Sequence, residues 1–280
     1  MKILITGANG QLGKQLEKKL KQSHTVFGLG KEELDVTNKD ETEKVITLIK
    51  PQIIIHSAAF TSVDECEIDS KKAFEVNGLG SGYVAQASNK VNARMFYIST
   101  DYVFNGEKQI PYKEEDEPNP LSVYGKSKWL GEKLVLKFNK GTIIRTSWLY
   151  GHEGKNFVKI MLDNARNKKK IKVVNDQIGS PTYVNDLTET IIHLLDKKNG
   201  VYHVSNSGSC SWYEFAKTIF KEAGYSPEMI LQTTTEEYGA IAPRPKYSIL
   251  QSEALIRENI KSLRPWNDAL KDFIQKEISQ

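Results

Sequence analysis

The first 200 residues alternate between short apolar runs and amphipathic stretches. Apolar runs at residues 2–6, 25–29, 52–56 and 142–145 predict strands, and the segments between them carry apolar residues at helical spacing. Strands that alternate with helices form parallel sheets covered on both faces. The pattern therefore predicts an α/β fold with a Rossmann-type, doubly wound parallel sheet.

A further apolar run, at residues 96–98, ends in Ser99, Thr100 and Asp101. A run of β-forming residues that stops at hydroxyl and acidic side chains predicts a buried strand that opens onto a polar site. We therefore expect these three side chains at the carboxyl end of the sheet.

Downstream of this strand, residues 122–137 predict a helix in which Tyr124 and Lys128 lie on one face, a turn apart. A cation beside a phenol favours the phenolate and lowers a pKa that starts near ~10. The tyrosine could then donate or accept a proton near neutral pH. The same spacing occurs by chance in surface helices, and the context of Thr100 and of the glycine-rich loop below favours catalysis.

A glycine-rich loop follows the first predicted strand. Gly7, Gly10 and Gly13 have the spacing G-x-x-G-x-x-G, and an amphipathic helix follows them. Glycines allow a tight turn and bring backbone N–H groups close to a pyrophosphate at the helix N-terminus. The position between a strand and a helix predicts a dinucleotide site rather than a plain turn.

The second predicted strand ends in Gly30 and Lys31, with no carboxylate to accept a ribose 2′-hydroxyl. A lysine there would tolerate a 2′-phosphate, so we expect NADPH to be used at least as well as NADH. Asp35, before Val36, either meets the adenine or caps a turn or the next helix. Small residues at 57–59, after the third strand, predict a cofactor crevice at the switch point of the sheet.

The alternation of strands and helices loosens from about residue 151. A strand at 172–174 and a helix at 187–195 suggest a return to the first domain. We expect a dinucleotide-binding domain of residues 1–150 plus 171–200 and a substrate domain of residues 151–170 plus 201–280. Arg244 lies between two prolines on a stiff loop, where it either grips an anionic substrate or forms a surface salt bridge.

Composition narrows the function classes. The chain has 280 residues, 39% of them hydrophobic and 26% charged, and a net charge of +4, which is no charge excess of the kind that binds nucleic acid. The acidic run at 114–117 is expected to be a solvated loop. Cys66 and Cys210 fit neither a metal spacing nor a disulfide framework, which favours a reducing compartment. With no apolar run near ~18 residues and no signal peptide pattern at the N-terminus, we expect a cytoplasmic protein without membrane contact.

With these motifs established, the chain resembles the extended short-chain dehydrogenase/reductase superfamily and, within it, the family of dTDP-4-dehydrorhamnose reductases. The resemblance covers nearly the whole chain. At the superfamily level it depends on Gly7, Gly10, Gly13, Tyr124 and Lys128. The more specific motifs are those at residues 10–13, 58–64, 99–104, 123–126, 145–148 and 175–182.

The resemblance implies NADPH-dependent reduction, with NADH also usable, of the C4 ketone of dTDP-4-dehydro-L-rhamnose to dTDP-L-rhamnose. It implies that Tyr124 protonates the C4 oxygen, that Lys128 holds the nicotinamide ribose and lowers the tyrosine pKa, and that Thr100 bonds the keto oxygen. The other residues expected at the cofactor are Gly7, Asn9, Gly10, Gln11, Leu12, Gly13, Gly30, Lys31, Asp35, Val36, Ala58, Ala59, Thr61 and Ser99. Those expected at the sugar nucleotide are Val63, Thr100, Asp101, Tyr124, Trp148, Asn156 and Arg244.

One further departure from the family pattern and two alternative functions bear on this interpretation. Gln15 replaces an acid that some family members use in a magnesium-bridged dimer, so no metal is expected, although a homodimer of another kind stays open. A nucleotide-sugar dehydratase or epimerase is one alternative, but Tyr102 stands where a dehydratase would need a second carboxylate. A cofactor-binding regulatory subunit without turnover is the other, because fold alone does not give function.

Overall fold

The computed structural model describes residues 1–139 and 141–279. Its strands are β1 Lys2–Thr6, β2 Thr25–Leu29, β3 Ile53–His56, β4 Arg94–Thr100, β5 Thr142–Thr146, β6 Leu149–Tyr150, β7 Ile171–Val174, β8 Ile178–Gly179, β9 Thr182–Tyr183, β10 Val201–His203, β11 Cys210–Ser211 and β12 Ile230–Thr233. Its helices are α1 Gln11–Leu20, α2 Lys39–Ile49, α3 Val63–Ile68, α4 Ser70–Ala73, α5 Ser81–Lys90, α6 Val123–Phe138, α7 Phe157–Arg166, α8 Val184–Leu194, α9 Trp212–Glu222, α10 Thr235–Tyr238, α11 Glu253–Arg257 and α12 Trp266–Ile278.

The central sheet has six parallel strands in the order β10-β5-β4-β3-β1-β2. Its middle strands are apolar and buried because helices cover both faces, which confirms the doubly wound α/β prediction. The chain leaves β1 toward β2 on one side and returns through β3 and β4 on the other. This reversal places the switch point, and hence the expected ligand crevice, at the carboxyl ends of β1 and β3.

A second hydrophobic core lies outside this sheet. It joins α7, α9 and α12 with the short pairs of strands, around Tyr150, Phe215, Phe220 and Phe273. In it β7 pairs with β12, in parallel. Residues 171–174 are therefore not part of the six-stranded sheet, whose edge strand beside β5 is β10. The division of the chain into two domains stays a prediction.

The acidic run also differs from expectation at one position. Glu114 is 7% exposed, and its carboxylate accepts hydrogen bonds from the backbone N–H groups of His203 and Ala254. The run is therefore not simply a solvated loop, because Glu114 anchors it to β10 and α11. In the part of the chain that is described, none of the helices has the length and apolar character needed to cross a membrane.

Candidate active site

Two adjoining cavities open at the carboxyl edge of the central sheet. The tyrosine cavity, of about 420 Å³, contains Tyr124 and Lys128 in its wall, and the Gly30 cavity, of about 390 Å³, contains Gly30 and Lys31. Both include Gly7, and they meet at the carboxyl ends of β1 and β3. This is the switch point that the topology singles out.

The glycine-rich loop is packed too closely for side chains. Gly7 has φ +68°, and a Cβ there would lie 2.6 Å from the backbone nitrogen of Ala58. A Cβ on Gly13 would lie 2.4 Å from the carbonyl oxygen of Gly7. The loop thus lies directly on the segment after β3, at the N-terminus of α1. Such a cradle fits a pyrophosphate, which takes backbone N–H groups and a favourable helix dipole.

The Gly30 cavity has polar groups at its rim. Gly30 N–H donates to the carboxylate of Glu33 at 2.9 Å, and a Cβ on Gly30 would lie 2.1 Å from Asn9 Nδ2. Asp35 accepts from the backbone N–H and hydroxyl of Thr37, and these bonds hold the pKa of its carboxyl below the usual range. Asp35 therefore caps a turn and also lines the cavity.

The predicted catalytic residues meet in the tyrosine cavity. Tyr124 and Lys128 lie on one face of α6, which Ser122 caps by accepting from Gly125 N–H, and Thr100 comes from the end of β4. Burial raises the pKa of the Tyr124 hydroxyl, and the nearby Thr100 opposes that rise. The tyrosine therefore carries its proton over the physiological range.

Lys128 is buried beside the carboxyl end of β4. Its ammonium donates to the carbonyl oxygen of Ile98 at 2.6 Å and lies 4.1 Å from the centre of the Tyr97 ring. Burial lowers the pKa of Lys128 to about 7. Among the neighbours of Tyr124, Thr100 opposes the rise that burial causes in the tyrosine pKa. The lowering of that pKa by Lys128 stays a prediction.

Asp101 adds a carboxyl group beside Thr100. It is 2% exposed, burial raises its pKa to about 6, and its Oδ1 accepts from the Thr100 hydroxyl at 3.1 Å. Its Oδ2 is buried without a hydrogen-bond partner among the described residues. Asp101 is therefore a buried carboxyl group with unused hydrogen-bonding capacity in the wall of the tyrosine cavity.

A pair of stacked indoles forms another wall of the tyrosine cavity. Trp148 and Trp212 lie with ring centroids 3.6 Å apart and planes 11° apart, and both line the cavity. Trp148 has φ +47°, which is uncommon for a bulky residue and typical of strained functional positions. Sequence reasoning missed Trp212, because it lies 64 residues from Trp148 at the start of a separate helix and no local motif marks it.

Two predicted substrate residues do not line either cavity. Asn156 caps α7 by accepting from Lys159 N–H, and its amide donates to the carbonyl of Gly151. Arg244 donates to Asp64 at 2.9 Å and to the carbonyl of Ala242. The structure therefore shows the salt bridge that was the alternative for Arg244. All the other predicted cofactor and substrate residues line one or both cavities.

A buried polar frame holds the crevice in shape. Asn77 accepts from Phe60 N–H and donates to both the Phe60 carbonyl and the Ser127 hydroxyl. It lies in a π-helical turn, Phe74–Gly80, of a kind often found at functional sites. Asn77 thus ties the segment after β3 to the helix that carries Tyr124.

A parallel sheet with a glycine cradle at its switch point, and a tyrosine and lysine one helical turn apart beside it, defines an oxidoreductase of the extended short-chain dehydrogenase/reductase type. The chain belongs to the family described as RmlD substrate binding domain, whose model matches residues 1–279.

Named relatives agree with this assignment. The spore coat polysaccharide biosynthesis protein SpsK of Bacillus subtilis is 48% identical, over 99% of this chain and 98% of its own length. A dTDP-4-dehydrorhamnose reductase of Aggregatibacter actinomycetemcomitans is 41% identical over 97% and 98%. The crystal structure of dTDP-4-dehydrorhamnose reductase from Bacillus anthracis, in complex with NADP, is similar with TM-score 0.96 and 45% identity, over 98% of this chain and 99% of that one.

Proposed function

We propose that this protein reduces the C4 ketone of dTDP-4-dehydro-L-rhamnose to dTDP-L-rhamnose, with NADPH as the reductant. The observation that carries the proposal is the meeting of Tyr124, Lys128 and Thr100 in a cavity that adjoins a glycine cradle for a dinucleotide. The names of the relatives supply the substrate, and the solved structure with NADP supports the cofactor.

The residues present fit a bound NADPH. Gly7 and Gly13 let the loop pack against the segment after β3 and against itself, which forms the cradle for a pyrophosphate at the N-terminus of α1. Lys31 offers a cation to a 2′-phosphate at the Gly30 cavity. When bound, the nicotinamide supplies a hydride to the ketone carbon. Lys128, beside the carboxyl end of β4, would hold the nicotinamide ribose.

Reduction places negative charge on the ketone oxygen, and Tyr124 is the group we assign to protonate it. Burial keeps the Tyr124 hydroxyl protonated, as a general acid must be. Thr100 lines the same cavity as Tyr124, and its hydroxyl, which donates to Asp101 in this structure, would turn to donate to the ketone oxygen. The Lys128 cation favours the phenolate that remains after proton transfer.

The sugar would occupy the space between the catalytic face of α6 and the two indoles. Asp101 in the cavity wall would contribute a polar group to the sugar site, while Val63 and Trp148 provide apolar surface for the deoxy sugar and the base. For the location we propose the cytoplasm, because both cysteines are free and buried, as in a reducing compartment.

Oxidation of NADPH and of NADH by the purified protein, with a panel of 4-keto nucleotide sugars, tests the proposal. We expect the fastest turnover with the dTDP-linked 4-keto-6-deoxymannose. Faster turnover of a UDP- or GDP-sugar would overturn the substrate assignment. No turnover of any sugar, together with tight NADPH binding, would favour the regulatory subunit.

The same assay separates reduction from dehydration. Tyr102, where a dehydratase would need a carboxylate, packs edge-on against Tyr124 with ring centroids 5.5 Å apart. With dTDP-glucose and the oxidised cofactor we therefore expect no 4-keto-6-deoxy product. Formation of that product would contradict the assignment.

A further inference from the structure

The helix face that carries Tyr124 and Lys128 continues to a third buried polar residue. Glu132 lies four residues after Lys128 and is 3% exposed. Residues four apart on a helix lie about 5–6 Å apart between their Cβ atoms. A buried carboxylate therefore lies one turn beyond the lysine that the proposed function places at the cofactor.

Glu132 is held rigidly by two neighbours. Its Oε1 accepts from the Ser99 hydroxyl at 2.5 Å and from Arg145 Nε at 3.0 Å, and its Oε2 accepts from Arg145 Nη2 at 2.8 Å. Ser99 and Arg145 are also almost completely buried. Ser99 lines the tyrosine cavity, and its hydroxyl proton is donated to Glu132.

Arg145 is oriented in turn by a histidine. His203 Nδ1 lies 3.0 Å from the carbonyl oxygen of Tyr112, to which it must donate, so its Nε2 accepts from Arg145 Nη1 at 3.3 Å. Burial and the Arg145 charge lower the pKa of His203 to about 3. The histidine is therefore neutral at working pH, and Glu132 is the anion of this cluster.

Lys128 has no carboxylate in salt-bridge contact within the described ranges. Around it, His56 of β3 is neutral because burial and the Lys128 charge lower its pKa to about 3, and burial raises the pKa of Tyr97 of β4. Arg145 is the charged residue of β5, and it forms an ion pair with Glu132. The carboxylate of Glu132 is thus the group that opposes the loss of charge that burial imposes on Lys128.

We propose that Glu132 is a positioning residue that acts through Lys128: from the adjacent helical turn, its fixed carboxylate keeps the buried ammonium in the charged form that the reaction uses. The inference depends on the proposed role of Lys128 at the cofactor. A purely structural role, in which Glu132 only fastens α6 to β4 and β5, is the alternative.

The test is a titration of Lys128 itself, monitored by NMR in protein that contains ¹³C-labelled lysine. The Lys128 signal is identified as the one that is missing from the spectrum of Lys128→Met. Glu132→Gln keeps the shape of the side chain and removes its charge. We expect the Lys128 midpoint to move to lower pH by about one unit, the low end of the effect of an opposite charge nearby. That shift corresponds to about a tenfold loss of charged lysine above the midpoint.

Glu132→Gln leaves Arg145 buried and unpaired, which endangers folding. The double variant Glu132→Gln with Arg145→Met contains no unpaired charge and also lacks the carboxylate, so we expect its midpoint to lie below that of the wild type. Ser99→Ala is the matched control, because it removes a bond to Glu132 and keeps the charge. We expect its midpoint to stay in place.

The pH dependence of the NADPH dissociation constant and of kcat/KM links the titration to function. Wild type should lose affinity and rate as Lys128 loses its proton, and Glu132→Gln or the double variant should lose them at lower pH. Lys128→Met should lack this step, which separates it from the ionisation of Asp101. An unmoved Lys128 midpoint in the charge-removing variants overturns the inference and leaves the proposed function standing. A Lys128→Met protein with the same pH step overturns the role of Lys128, and the inference with it.

Discussion

Single charges at the Gly30 cavity bear on the choice between the two nicotinamide cofactors. Lys31 lines this cavity and would attract a 2′-phosphate, whereas Glu33, bound to Gly30 N–H at 2.9 Å, would repel the phosphate or accept a 2′-hydroxyl. The two side chains therefore act in opposite directions. Placing an aspartate at Gly30 is a poor test, because its Cβ would lie 2.1 Å from Asn9 Nδ2.

For Lys31→Gln we expect the ratio of kcat/KM for NADPH to that for NADH to fall by about tenfold, the value of one charge-assisted hydrogen bond. Glu33→Gln should raise the same ratio, because it removes the repulsion and keeps an acceptor near Gly30 N–H. Steady-state kinetics with both cofactors at fixed sugar concentration measure the ratio. If neither variant changes this ratio, the Gly30 cavity is not where the protein discriminates between the two cofactors.

At the scale of elements, α6 must lie very close to β4 for Tyr124 to meet Thr100. Glycine makes this approach possible: a Cβ on Gly131 would lie 2.3 Å from the hydroxyl of Tyr97 and 2.4 Å from the carbonyl oxygen of Asn77. The Tyr97 hydroxyl also donates to the carbonyls of Asn77 and Lys128. The close packing of α6 against β4 therefore also determines the position of its catalytic side chains.

Gly131→Ala should lower both kcat and the melting temperature, although alanine in a helix interior normally stabilises by about 1 kcal/mol. The clash with buried backbone and phenol should outweigh that gain and displace Tyr124 from Thr100, and a 1 Å misplacement can cost about 10²-fold in rate. Lys137→Ala, on the exposed side of the same helix, is the control. A Gly131→Ala protein with full kcat would show that catalysis does not need the close packing of α6 against β4.

Patterns within short stretches of sequence correctly predicted the buried strands of the central sheet. The ranges 2–6 and 25–29 agree with β1 and β2, since an apolar run bounded by polar residues and turn signals marks a buried strand. The pairing of β7 with β12 was not predicted, because it joins segments about 60 residues apart and depends on the second core. The ion pair of Glu132 with Arg145 was missed for a similar reason, since sequence spacing says nothing about facing residues on a helix and a strand.

At the scale of the whole molecule, buried neutral histidines link the crevice to the stability of the fold. His203 connects β10, the loop at Tyr112 and the pair of Arg145 with Glu132. Its pKa is lowered to about 3 in the folded protein, against about 6.5 when unfolded. The unfolded chain therefore binds the proton first as pH falls, so that stability is lost from about pH 6.5 down to about pH 3.

His203→Gln should reduce this acid sensitivity. The wild type should lose about 2 kcal/mol of its free energy of unfolding between pH 7 and pH 5 through His203, and the variant should lack that contribution. Denaturant unfolding at the two pH values measures the difference, and His193→Gln, at an exposed histidine, is the control. An identical pH dependence in wild type and His203→Gln would contradict a neutral, buried His203.

The central claim is that Tyr124 gives the proton when the ketone is reduced. Tyr124→Phe keeps the ring and its contact with Tyr102 and deletes the hydroxyl, so we expect kcat to fall by about 10²–10⁴-fold while the NADPH dissociation constant stays nearly unchanged. Single-turnover oxidation of NADPH at saturating dTDP-4-dehydro-L-rhamnose measures the chemical step directly. A Tyr124→Phe protein with nearly the wild-type single-turnover rate would contradict the assignment.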